Sequence, residues 1–142
     1  MEQHVVVTNR KAFHHYHILD KYEAGMELLG SEVKSLREGN CNLSQAYIII
    51  RKGQAWLSGV HIKPYSHTGF DGHEAVRNRK LLLHNREIVK LKAKLDQKGL
   101  TAIPLKIYFN KKGLAKLELA LAKGKKNYDK KIALKERDIK RE

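Results

Sequence analysis

The chain has one cysteine, two prolines and one tryptophan among its 142 residues. With Cys41 alone, an internal disulfide is impossible and a cysteine-built zinc site is excluded, which fits a reducing cytosol. Long hydrophobic runs are also missing. The longest uninterrupted apolar stretch, Ala46 to Ile50, falls far short of the roughly 18 residues of a spanning helix. Near the N-terminus only Val5, Val6 and Val7 form an apolar patch, too short for the core of a signal peptide. A soluble cytoplasmic protein without membrane contact is expected. Acid is scarce too: 15 Asp and Glu stand against 29 Lys and Arg, a net charge of +14 with histidine neutral. Solubility needs neither that sign nor that size of imbalance, so a polyanionic partner, above all nucleic acid, is the expectation.

Catalytic patterns are absent as well. The sequence has no P-loop, no G-x-S-x-G and no carboxylate pair at a recognisable catalytic spacing, so no enzyme and no cofactor are expected. Eight histidines invite a metal or a histidine-dependent RNA-cleaving reading. His14, His15 and His17 cluster, and a strand would put His15 and His17 on one face. Only Asp20 and Glu23 lie near enough in sequence to complete a ligand set, so no metal site is expected. Labelled RNA left intact with and without a chelator would dismiss the nuclease.

What is present reads as a mainly β body with a basic tail. Hydrophobic residues are 42% of the chain, enough for one packed core. Tyr16 to Asp20 and Met26 to Leu29 read as short strands. Tyr47 to Arg51 and Ala55 to His61 flank Lys52-Gly53, a hairpin turn. Leu105, Ile107 and Phe109 alternate with Lys106, Tyr108 and Asn110. Past Lys111-Lys112-Gly113, Leu117, Leu119 and Leu121 alternate with Lys116, Glu118 and Ala120, the clearest period-2 signal in the sequence. Pro104 is expected to open the first of these two strands. Between the hairpins His84 reads as an N-cap with Glu87 three residues on, and Ile88, Leu91 and Leu95 make one apolar helix face that Gly99 terminates. A shorter helix is expected near Ser31 to Arg37, and Asn42 is a possible cap before Leu43 to Ala46. The expectation is a small antiparallel barrel with two or three short flanking helices. From Lys123 to Glu142 nine Lys or Arg and four Asp or Glu surround only Tyr128, Ile132, Leu134 and Ile139 as large apolar residues. Such a segment buries little surface and is expected to be disordered or weakly helical alone. The division is residues 1–122 for the barrel and 123–142 for the tail.

Recognition signals are spread along the body. Asn9-Arg10-Lys11 can set cations on phosphates. Tyr16, Tyr22, Tyr65 and Phe70 are candidates to stack on unpaired bases, with core packing as the competing role for each. The run Arg77-Asn78-Arg79-Lys80 directly precedes apolar Leu81-Leu82-Leu83, so its direction is set by the fold. Lys111, Lys112 and Lys116 lie on or beside the second hairpin, and Lys123, Lys125 and Lys126 follow it. Phosphate contacts give affinity without sequence information, and duplex RNA hides its base edges, so this combination suits a structured RNA with splayed loops.

These motifs resemble the SmpB family of SsrA-binding proteins, partners of transfer-messenger RNA (tmRNA) in rescuing stalled ribosomes. The resemblance rests on Tyr22-Glu23-Ala24-Gly25, then Gly30-Ser31-Glu32-Val33-Lys34-Ser35-Leu36-Arg37 and Asn42-Leu43 to Tyr47. It continues through His61-Ile62-Lys63-Pro64-Tyr65 and Arg79-Lys80-Leu81-Leu82-Leu83-His84. It closes with Gly124-Lys125-Lys126-Asn127-Tyr128-Asp129-Lys130-Lys131. It implies an oligonucleotide-binding (OB) barrel that grips the tRNA-like domain of tmRNA as a monomer and stands where a tRNA's anticodon arm would be. The basic tail would enter the empty messenger channel of the small ribosomal subunit. By this resemblance the RNA-contacting residues are Tyr16, Glu23, Leu82 and Lys116, beside Arg79 and Lys80 of the basic run. Gly124, Lys125, Lys126, Asp129, Lys130 and Lys131 would serve the ribosome. Lys131 stands where the family commonly has Arg, Ile139 where it has an aromatic residue, and His15 where it has an acid. The alternative is a ribosomal or initiation-factor-like OB module held by ribosomal RNA. Recovery of one small structured RNA from lysate, rather than whole subunits, separates the two.

Overall fold

A computed structural model describes residues 4–64, 74–97 and 99–125. In chain order the elements are β1 (His4–Thr8), α1 (Arg10–His15), β2 (Tyr16–Met26), α2 (Gly30–Arg37), β3 (Cys41–Asn42), β4 (Tyr47–Arg51), β5 (Gln54–Ser58), β6 (His61–Ile62), β7 (Arg79–Leu82), α3 (Asn85–Leu95), β8 (Leu100–Phe109) and β9 (Ala115–Gly124). All strand pairs are antiparallel. Strands β8, β4, β5, β7, β2 and β9 follow one another, and β9 pairs back with β8, which makes a near-closed ring. Strand β1 extends the edge of β8, and β3 and β6 form a separate two-stranded pair. This is the mainly β, OB-like barrel that the sequence predicts; its three helices fall within the expected two or three, but α1 is not one of those read from the sequence.

The period-2 pattern governs the interior. Leu117, Leu119 and Leu121 of β9 point inward with Ala24, Ile48, Leu57, Leu81 and Ile107, and all are nearly or fully buried. The opposite face of β9 is not wholly wet. Ala120 and Ala122 pack with Ile103, Leu105 and Ala12 in a smaller cluster outside the ring, beneath α1, with Tyr16 and Ile18 at its margin. Small residues on that face let a six-residue helix lie close to the sheet.

Several boundaries differ from the sequence expectation. Strand β2 is one strand of 11 residues rather than two short ones, with a shift of register between Ile18 and Asp20. That bulge reverses the alternation midway, which is why the strand reads as two pieces. Pro104 sits inside β8 rather than at its start. It lies at a second bulge, where a missing N–H is tolerated, and its carbonyl accepts a 2.9 Å bond from Asn9 Nδ2. Asn42 caps no helix; it ends β3, and its Oδ1 accepts the Ser44 N–H at 2.8 Å. Helix α3 ends at Leu95, four residues before Gly99. The short helix near Ser31 is α2, and the Lys52-Gly53 turn joins β4 to β5 with φ of 53° and 73°, as the type I′ hairpin requires. Strand β9 runs to Gly124, two residues beyond the expected edge of the body. No helix among the described residues is long and apolar enough to cross a membrane.

Candidate nucleic-acid interface

The register of four strands gathers the surface residues of interest. Tyr108 on β8 pairs with Lys116 on β9, Lys116 with Gly25 on β2, and Gly25 with Leu82 on β7. The row spans about 15 Å at the usual strand spacing. The neighbouring row runs Lys106, Glu118, Glu23. Alternation puts both rows on the outward face, away from Leu117 and Leu119. Three of the residues expected to bind RNA, Glu23, Leu82 and Lys116, therefore share one patch although 93 residues separate the first from the last in sequence.

Each side chain of the patch is placed by a local cause. Leu82 is 50% exposed, an apolar side chain held in water. It lies over Gly25, where an added Cβ would stand 3.3 Å from Leu82 Cβ and Cδ1. Glycine there lets Leu82 rest flat on the sheet. Lys116 has no ion-pair partner among the described residues, whereas Glu118 is shared by Lys21 at 3.7 Å and Lys106 at 3.8 Å. Lys106 Nζ also stands 5.4 Å from the Tyr108 ring centroid, a cation–π contact. The Tyr108 hydroxyl donates to Glu23 Oε2. Burial, and then the bond to Glu23 and the charges of Glu23 and Glu118, push that phenol up and keep it protonated. Beyond the paired Glu118, the patch thus offers one unpaired ammonium, one carboxylate held by a phenol and one greasy step.

Tyr16 is on the same face by register but at the other end. It pairs with Gly124, eight residues along β9 from Lys116, or roughly 27 Å. Half-buried, it lines a cleft of about 270 Å³ with Asn9, Lys11, His15, Gln45 and Ile103. Lys125 starts where β9 ends, and its ammonium donates to the Phe13 carbonyl of α1 at 3.0 Å. The root of the tail and Tyr16 are thus neighbours of one short helix.

The basic run divides in two. Lys80 is half-buried on β7, two residues from Leu82 and opposite Trp56 of β5. Arg79 is fully buried, which corrects the expectation that it contacts RNA. Its Nε donates to Glu32 Oε2 at 2.6 Å, and its Nη atoms donate to the carbonyls of Val60, Arg77, Glu74 and Ala75 at 3.0–3.3 Å. A guanidinium so saturated has nothing left for a phosphate. Arg77 also serves Glu32, at 2.6 and 3.0 Å. The buried carboxylate at the start of α2 therefore binds two arginines, and this cluster pins the helix to the barrel.

Other expectations shift as well. Tyr22 turns into the core, so its ring is not a stacking surface. His15 ends α1 while His17 is in β2, so the two do not share a strand face. No three His, Cys, Asp or Glu side chains converge as metal ligands among the described residues. Tyr65, Phe70, Lys126, Asp129, Lys130, Lys131 and Ile139 lie outside the described residues. Sequence reading missed Tyr108 as a site residue, although it alternates with the apolar run of β8 on the same outward side as Lys106.

A family model described as "SmpB protein" matches residues 6–142. The chain belongs to the SmpB family. An SsrA-binding protein from Sulfurihydrogenibium sp. (strain YO3AOP1) is 57% identical over 142 residues, all of this chain and 93% of the relative. Another from Chlorobaculum tepidum is 55% identical over 136 residues, 96% of this chain and 87% of its own. A chain in a solved structure described as "tmRNA-SmpB: a journey to the center of the bacterial ribosome" superposes with a TM-score of 0.72 at 46% identity, covering 84% of this chain and 83% of that one. SmpB-family relatives are thus named for an RNA they bind, and the barrel is the part of the chain that carries the patch.

Proposed function

We infer that this protein binds the tRNA-like domain of tmRNA and brings it to stalled ribosomes for trans-translation. It works in the cytoplasm as a binding protein without catalysis or cofactor, and as a monomer in the RNA complex. The observation that supports the reading most is the meeting of Glu23, Leu82 and Lys116 on one outward patch of a chain with a +14 charge. Lys116 neutralises a phosphate, Leu82 rests against a sugar or base, and Glu23 accepts hydrogen bonds from a base or ribose donor. Lys80 extends the basic rim. Residues 1–122 form the RNA-binding body. Gly124, Lys125, Lys126, Asp129, Lys130 and Lys131 belong to the part of residues 123–142 that meets the ribosome in the empty messenger channel.

The test is a gel shift with transcribed tmRNA against ordinary tRNA as competitor. Tight binding that tRNA does not displace is expected. With about six phosphates neutralised, affinity should fall about a thousandfold over a fourfold rise in salt. Lys116→Ala should weaken binding and flatten the salt slope by about one, while Lys130→Ala leaves RNA affinity unchanged and abolishes rescue. Binding to intact small subunits but not to the transcript would overturn the reading in favour of a ribosomal RNA module.

A further inference from the structure

A carboxylate is an unexpected group on the RNA-facing patch of so basic a protein. Left alone, Glu23 has two reasons to turn away. Its partner across the β2–β9 pair is Glu118, and like charges directly opposite on neighbouring strands repel. Polyanionic RNA adds repulsion of the same sign. The surroundings resolve the first problem asymmetrically. Two cations, Lys106 of the same row and Lys21 of the next row along β2, both lie against Glu118. Glu23 receives the Tyr108 hydroxyl instead, from a strand beyond β9. The ring of Tyr108 is 2% exposed and capped by Lys106, so its position is set by packing before any ligand arrives.

We propose that Tyr108 is a positioning residue for RNA recognition: its hydroxyl holds one oxygen of Glu23 so that the other faces outward, beside Lys116 and Leu82, to accept from N–H or O–H donors of a base edge or ribose. A lysine in Tyr108's role would neutralise Glu23 and draw it into a pair. A phenol fixes the carboxylate without removing its charge, and its raised pKa keeps it a donor across the physiological range. The arrangement favours a ligand that presents donors, such as the N1–H and N2–H edge of guanine, over one that presents only phosphates. The inference rests on the tmRNA-binding reading above.

The experiment is a double-mutant cycle on tmRNA affinity with wild type, Tyr108→Phe, Glu23→Gln and the double variant. Tyr108→Phe keeps the packed ring and should lower affinity about tenfold, as expected for a lost hydrogen bond to a charged group. It should leave the salt slope unchanged, because no phosphate contact is lost. In the Glu23→Gln background the same substitution should cost little, since there is no longer a charge to hold. Wild-type affinity in Tyr108→Phe, or equal losses in both backgrounds, would overturn the proposal. Thermal melting of each variant identifies a loss that comes from unfolding. Failure of wild type to bind tmRNA would instead overturn the functional reading on which the proposal stands.

Discussion

At the scale of single residues, the sharpest division is between cations that face solvent and cations that do not. Arg79 and Lys80 are adjacent in sequence and look interchangeable there, yet one is internal and the other faces outward. Alternation along β7 explains the split, and Glu32 explains why the internal position tolerates an arginine. Breaking a buried ion pair by removing one partner costs about 3–5 kcal/mol, so Glu32→Gln should lower the unfolding free energy by about 3 kcal/mol in urea titration. The effect has a definite pH dependence. Burial pushes the Glu32 carboxyl up, but hydrogen bonds from Arg77 and the Leu29 N–H, with the Arg79 charge, bring it below its ordinary value. A carboxylate held down in the fold stabilises fully above its unfolded pKa of about 4.3 and loses that contribution as pH falls through the folded value. The stability gap between wild type and Glu32→Gln should therefore be flat near neutrality and narrow as the pH drops below about 4. A gap that widened on acidification would contradict the assignment.

At the scale of elements, legibility followed regularity. Strand β9, the part of β8 beyond its bulge and α3 were readable because each keeps one period, two for the strands and 3.6 for the helix. Strand β2 was half-readable, since the bulge near Leu19 swaps which residues face inward. Strand β1 and helix α1 were not readable. Three valines make an edge strand only because β8 offers its edge, and the six residues of α1 are too few to show an amphipathic period. The patch itself was partly legible: Glu23, Leu82 and Lys116 came from motif resemblance, whereas Tyr108 emerges only from the register of three strands. Connections carry their own constraints. Gly59, between β5 and β6, has φ of 75°, and an added Cβ would lie 2.6 Å from the Gln45 carbonyl oxygen. Gly59→Ala combines left-handed strain with a backbone clash and should destabilise the barrel by about 2 kcal/mol or more, measured as a lowered midpoint in chemical denaturation. An unchanged midpoint would mean that the loop relaxes freely.

At the scale of the whole molecule, the two parts assigned separate roles in the proposed function are joined by a single strand. One end of β9 carries Lys116 in the patch proposed to bind RNA, and the other end delivers the chain to Lys125. Between them β9 is hydrogen-bonded along both edges, to β2 and to β8. Such a strand works as a ruler: it has no joint at which Lys116 and Lys125 can drift apart. On the proposed function, the barrel and not a tether would set where the chain leaves for the ribosome relative to the bound RNA. Adding four Gly/Ser residues directly after Lys125 should leave tmRNA affinity as it is and sharply reduce rescue in a stalled-translation assay. Full rescue by that variant would show that the spacing is read elsewhere.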